Sequence, residues 1–111
     1  MKKPLLISDI LFEISDVFGK KIRTTHAYWH KIAAQKHAEL TYTIQNVQNT
    51  LQNPDTVYQS VTDDTIALYR KHMKHDTLIV VAKHFNGEGF LVTAYQTSKT
   101  KTKGIRLWPK P

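Results

Sequence analysis

The chain of 111 residues predicts an α+β domain in which helices precede an antiparallel sheet. Three observations carry that expectation. Apolar residues recur at helical spacing between Thr24 and Gln52. After Pro54 the texture changes to β-branched and aromatic runs divided by turn residues. The most hydrophobic run, residues 77–84, leads into Asn86-Gly87-Glu88-Gly89, a strong hairpin signal. The expected architecture is an N-terminal β-hairpin or helix, then two helices packed on a four- to five-stranded antiparallel sheet.

Taken in order, residues 10–14 alternate loosely and residues 22–24 are β-prone. The turn signal Asp16-Val17-Phe18-Gly19 lies between them, so a hairpin is expected. A helix over residues 8–17 competes, because Ile10, Leu11, Ile14 and Val17 also suit a helical face. Residues 24–40 read as an amphipathic helix with Thr24 or Thr25 as N-cap. A second helix is expected over residues 42–52, with Ile44, Val47, Gln48 and Leu51 at helical spacing. Asn53-Pro54-Asp55 stops it, since proline lacks the N–H to continue.

Strands are then expected over residues 56–61, 65–72, 77–84 and 90–95. Turns fall at Asp63-Asp64, at Lys74-His75-Asp76 and at the Asn-Gly hairpin. The run 77–84 is apolar enough to be central and buried on both faces. Residues 99–104 form a polar, cationic tail, and residues 105–108 suit a short edge strand. By alternation Arg70 and His72 share a face, as do Ile79, Val81 and Lys83, and as do Thr93 and Tyr95. Alternation within a strand leaves open how these faces combine and which of them looks at the helices.

The whole chain, 1–111, reads as a single domain, with residues 1–8 and 97–104 expected to be flexible. Hydrophobic content of 41% with 10% aromatics indicates a folded core. The absence of cysteine excludes disulfides, thiolate metal sites and a cysteine nucleophile. No apolar run approaches the ~18 residues of a membrane span. The opening Met-Lys-Lys-Pro-Leu-Leu-Ile-Ser resembles a secretion signal, but Asp9, Glu13 and Asp16 interrupt it, so the chain is expected to be cytoplasmic. With 16 Lys+Arg against 9 Asp+Glu, a net charge of +7, the expected partner is a polyanion: nucleic acid or an acidic protein.

The first helix carries a histidine stripe. With His26 at zero, His37 falls at about +20° and His30 at about +40° around the axis. Ala33 and Ala34 between them leave room over the stripe. Histidine titrates near neutrality and serves as general acid, general base or metal ligand. A zinc-dependent hydrolase through His26 and His30 is one reading. The His-Glu-x-x-His pattern is missing, however, so no metal site or cofactor is expected. No Gly-x-Ser-x-Gly elbow and no phosphate-cradling glycine loop is present.

Phosphate chemistry fits better. RNA carries its own nucleophile, the 2′-OH, so the protein needs only a base, an acid and cations to hold the developing charge. The residues in candidate positions are His30, His37, Arg70, Lys83, Thr93 and Tyr95. His26 joins the helix stripe, and Lys101 and Lys103 suit backbone contacts from the tail. His72 and His75 flank a turn and read as surface residues.

These motifs also occur in a recognisable order. Asp16-Val17-Phe18-Gly19 with Ile22 and Thr24 is followed by Trp29-His30-Lys31-Ile32, then by His37-Ala38-Glu39-Leu40. Leu51-Gln52-Asn53-Pro54-Asp55-Thr56-Val57, Tyr69-Arg70, Val92-Thr93-Ala94-Tyr95 and a closing Lys103-Gly104 with Leu107-Trp108 complete the series. The series resembles a phage- and toxin-associated nuclease family of the Barnase–EndoU–colicin–RelE-like (BECR) fold grouping. Ala38 stands where that family usually has proline. The resemblance implies helices on a small antiparallel sheet, and RNA cleaved without metal. It also implies a toxin-like role held in check by an antitoxin or immunity protein. Residue by residue it points to His30, His37, Arg70 (or Tyr69), Thr93 and Tyr95. The expected activity is therefore that of a metal-independent endoribonuclease. The alternative is a non-catalytic RNA- or protein-binding module on the same fold.

Overall fold

The computed structural model describes residues 9–35, 42–99 and 103–110. Residues 1–8, 36–41, 100–102 and 111 lie outside that description, and with them the expectations placed on residues 1–8, on His37 and on Lys101.

Two strands, β1 (Ile10–Ser15) and β2 (Lys21–Thr25), form the N-terminal hairpin. The hairpin alternative is thus the one adopted. Asp16 explains why: its Oδ1 accepts bonds from the Phe18 and Lys20 amides at 2.9 and 2.8 Å. Gly19 takes φ +80°, the left-handed conformation that glycine tolerates best. A side chain that satisfies the turn amides itself favours a tight turn over a continuing helix.

The first helix, α1 (His26–Gln35), starts where β2 ends. Thr25 is its cap, with Oγ1 accepting from the Tyr28 amide at 3.1 Å. Ile32 is buried and Trp29 packs against the core. The second helix, α2 (Ile44–Gln52), begins at a capping box in which Thr43 and Asn46 bond reciprocally. Val47 and Leu51 are fully buried, each contributing roughly 1.5–3 kcal/mol of burial free energy.

The remaining strands are β3 (Thr56–Gln59), β4 (Ile66–His72), β5 (Thr77–Phe85), β6 (Glu88–Thr97) and β7 (Ile105–Trp108). Asn86 and Gly87, at φ 52° and 78°, make the tight turn between β5 and β6. The sheet order is β1-β2-β6-β5-β4-β3-β7. The α+β class is as expected, but among the described residues the sheet has seven strands and is mixed, not four to five antiparallel ones. The hairpin joins the meander through a short parallel ladder, Ile22 to Gly89 and Arg23 to Phe90. Period-2 alternation identifies strands but says nothing about partners distant in sequence, and that is where the expectation fell short.

β5 is the central strand; of the run 77–84 expected to be buried on both faces, residues 77–82 are, whereas Lys83 is exposed and His84 half-buried, because the strand end runs past the helices that cover it. One face packs on the helices through Ile22, Leu78, Val80, Ala82, Leu91 and Tyr69. The chain must cross β5, β4 and β3 between β6 and β7, roughly 19 Å at ~4.8 Å per strand. The described ends of that connection, Lys99 and Lys103, lie over the face opposite the helices.

Gly104 closes the connection. Its φ is +118°, and an added Cβ would stand 2.0 Å from the Gln59 carbonyl oxygen. Gly104→Ala is expected to destabilise the fold by about 1–3 kcal/mol, read as a lower urea midpoint, with β7 amides exchanging first.

Candidate nucleic-acid interface

The β-ladders decide what alternation left open. Arg70 pairs with Ile79, and Ile79 with Tyr95. Leu68, Val81 and Thr93 form the next row, with Tyr58 and Arg106 extending it. Ile66, Lys83 and Phe90 form the row beyond, which Arg23 joins from β2. On the other side of Arg70 lies the row of His72, Thr77 and Thr97. Residues paired directly across strands share a face, so all of these side chains stand on the face opposite the helices.

At one end of this face a cavity of about 380 Å³ is lined by Arg70, Ile79, Tyr95, Thr97, Lys99 and Lys103, among others. Arg70 is 5% exposed. Its Nη2 donates to the Lys99 carbonyl at 3.1 Å, which ties the connection to the sheet. Burial pushes the Tyr95 phenol up, against the pull of the Arg70 charge, so the hydroxyl is a proton-bearing donor at neutral pH. His72 is exposed at the end of β4. Its amide donates to Asp55 Oδ2 at 2.6 Å, and its Nδ1 lies 3.3 Å from Thr77 Oγ1.

The structure thus brings together Arg70, Thr93, Tyr95, Lys83 and Lys103. Lys83 is four residues from Ile79 along β5, about 13 Å at 3.3 Å per residue, so it stands on the same face as Arg70 but apart from it. His26 and His30 stand on α1 and not on the strands of this face; both are exposed, and His30 lies about 160° around α1 from the buried Ile32. Among the described residues no group of three or more His, Cys, Asp or Glu side chains is arranged to hold a metal. No helix there is long and apolar enough to cross a membrane.

Among the described histidines, His72 alone stands on a strand with its side chain on the cationic face. Sequence reading passed over it as a surface residue, although its sharing a face with Arg70 was legible by alternation. The missing signal was the register to β5 and β6, which no local pattern encodes.

A second cluster sits on the helix side. Tyr69 is fully buried, and its hydroxyl lies 2.5 Å from Asp16 Oδ2 and 2.9 Å from His84 Nε2. Burial, then the hydrogen bond from Tyr69 to Asp16, keeps the phenol fully protonated. The hydroxyl therefore donates to Asp16 and accepts from the His84 Nε2–H. Asp16 and Tyr69, both carried in the motifs quoted above, have a structural task here: they fasten the hairpin turn to β4.

Burial also holds the His84 imidazole below its ordinary range, outweighing the opposing attraction of Asp16. The folded state thus binds the His84 proton less readily than the unfolded chain, whose histidine titrates near ~6.5. Stability from this group is complete above that value and is lost as pH falls below it. Urea midpoints are expected to drop as pH falls below about 6.5, and His84→Gln should flatten the fall. An unchanged midpoint in the parent chain would contradict this.

No family model, no curated protein and no solved structure matches this chain.

Proposed function

We propose that the chain is a metal-independent endoribonuclease that works on the sheet face opposite its helices. The observation that supports this reading is the row-by-row register that gathers Arg70, Tyr95, Thr93 and His72 with Arg23, Lys83, Lys99, Lys103 and Arg106. A cationic face interleaved with Tyr58, Phe90 and Tyr95 fits a single-stranded polyanion, by charge and by stacking.

In this reading His72 takes the proton of the 2′-OH as that oxygen attacks phosphorus. The bond to the 5′-oxygen breaks, and the protonated Tyr95 hydroxyl supplies a proton to the leaving group. Arg70 holds the charge that grows on the phosphorane oxygens, where a fixed cation acts most strongly away from bulk water. Thr93 and Lys83 position the neighbouring nucleotide. His37, to which the family resemblance points, is the competing base. A toxin-like role with an acidic antitoxin or immunity protein belongs to the same proposal, since such a partner would cover the same cations.

The test is incubation of the purified chain with total RNA and tRNA in EDTA. Cleavage is expected, leaving 2′,3′-cyclic phosphate ends. Salt-sensitive binding with intact RNA would instead make this a binding module. Growth arrest on induction in a host, relieved by an acidic partner protein, is the expected cellular counterpart.

A further inference from the structure

The β2–β6 ladder is only two pairs long. Beyond Arg23 and Phe90 the strands part, because β2 runs into α1 while β6 bulges at Val92. Tyr28, in the first turn of α1, reaches back across the gap and donates to the Val92 carbonyl at 2.9 Å. The result is a cleft of about 340 Å³ between Arg23-Thr24-Thr25 and Phe90-Leu91-Val92.

Its lining is mainly apolar and aromatic, which is the general make-up of a small-ligand pocket. Two features mark it as more than a packing gap. Thr24 is only 5% exposed, and its Oγ1 has no hydrogen-bond partner among the described residues. The buried Nε of Arg23 is in the same condition. Buried donors without partners are rare in folded proteins and call for a ligand or water to complete them. The Arg23 guanidinium lies 4.8 Å from the centre of the Phe90 ring, while its Nη2 is held by Glu88 at 3.1 Å. The guanidinium is thus held over the face of the Phe90 ring, a fixed cationic surface backed by an aromatic one.

We propose that this cleft is a nucleobase pocket, taking one unstacked base of the RNA that lies on the cationic face. The inference rests on the function proposed above. Lys83 is what makes it continuous with that function: it lines the cleft and stands on the same face as Arg70 and Tyr95. A base entering the cleft meets Tyr28 and the Arg23–Phe90 stack, while Lys83 takes the phosphate at its mouth. The Thr24 hydroxyl reads the edge of the base. Proteins that read single strands combine these elements, with stacking giving affinity and edge contacts giving choice.

The experiment is titration of the full chain with each nucleoside 5′-monophosphate and with ribose 5-phosphate, followed by amide NMR shifts. At least one nucleotide is expected to move the amides of Thr24, Thr25, Leu91 and Val92, and ribose 5-phosphate to leave them in place. Thr24→Val, which removes the hydroxyl and keeps the shape, should weaken the preferred nucleotide by about three- to tenfold. It should leave the others unchanged and the thermal midpoint intact. Phe90→Leu should weaken all of them.

Equal shifts with ribose 5-phosphate would overturn the pocket, as would nucleotide shifts confined to other residues. RNA cleavage with no nucleotide in the cleft would overturn this inference and leave the nuclease reading standing. Base-selective binding in the cleft by a chain that binds RNA without cleaving it would do the reverse.

Discussion

His72→Ala is expected to lower RNA cleavage by about 10²–10⁴-fold in kcat, the usual contribution of a positioned general base. RNA affinity should stay within about twofold, because the phosphate cations are untouched. The side chain is exposed and makes one long contact, Nδ1 to Thr77 Oγ1 at 3.3 Å, while its segment is held by the His72 amide on Asp55 and by the Lys71 ammonium on the Asn53 carbonyl at 2.8 Å. Truncation should therefore leave the fold unchanged, which a thermal melt would verify. Tyr95→Phe should cost about 10- to 100-fold by removing the proton donor while keeping the ring. His30→Ala, on the far side of α1 from the core, should cleave like the parent. If His72→Ala cuts normally and His37→Ala does not, the base is His37 and the catalytic row must be redrawn around it.

The second large effect concerns stability. Tyr69→Phe is expected to destabilise the fold by about 1–3 kcal/mol, since one missing hydroxyl strips a partner from the buried Asp16 and from His84 at once. Tyr69→Ala should cost about 3–5 kcal/mol, because a cavity is added to the lost bonds. The part of the hydroxyl's effect that runs through Asp16 is measurable by a double-mutant cycle. Asp16→Asn with Tyr69→Phe should cost less than the sum of the single changes, as expected for groups in one network. Strict additivity would show that the hydroxyl contributes nothing through Asp16. The site on the opposite face offers a contrast. Thr93→Val leaves helix packing alone and should change stability little while impairing substrate positioning.

Much of the fold was legible because it is local. Asn86-Gly87 fixes a turn that needs two left-handed residues. Thr43 caps α2 with its own side chain, and Pro54 ends the segment that follows. The run of residues 77–82 is too apolar for anything but a central strand. What the chain could not announce was partnership at long range. The parallel join of β2 to β6 and the placing of β7 beside β3 rest on packing between segments far apart in sequence. So does the path of Lys99 and Lys103 over Arg70.

The candidate site divides along the same line. Residue types carry the expectation of phosphate chemistry: a basic chain without cysteine, with histidine, arginine, lysine, tyrosine and threonine in candidate positions. Alternation paired Arg70 with His72 and Thr93 with Tyr95 on their own strands. Only the tertiary structure merged those pairs into one surface and opened a cleft where β2 and β6 part. A strand's two faces are set by its own sequence. Which of them meets the helices, and which neighbours it gains there, depends on the whole sheet burying its apolar side at once.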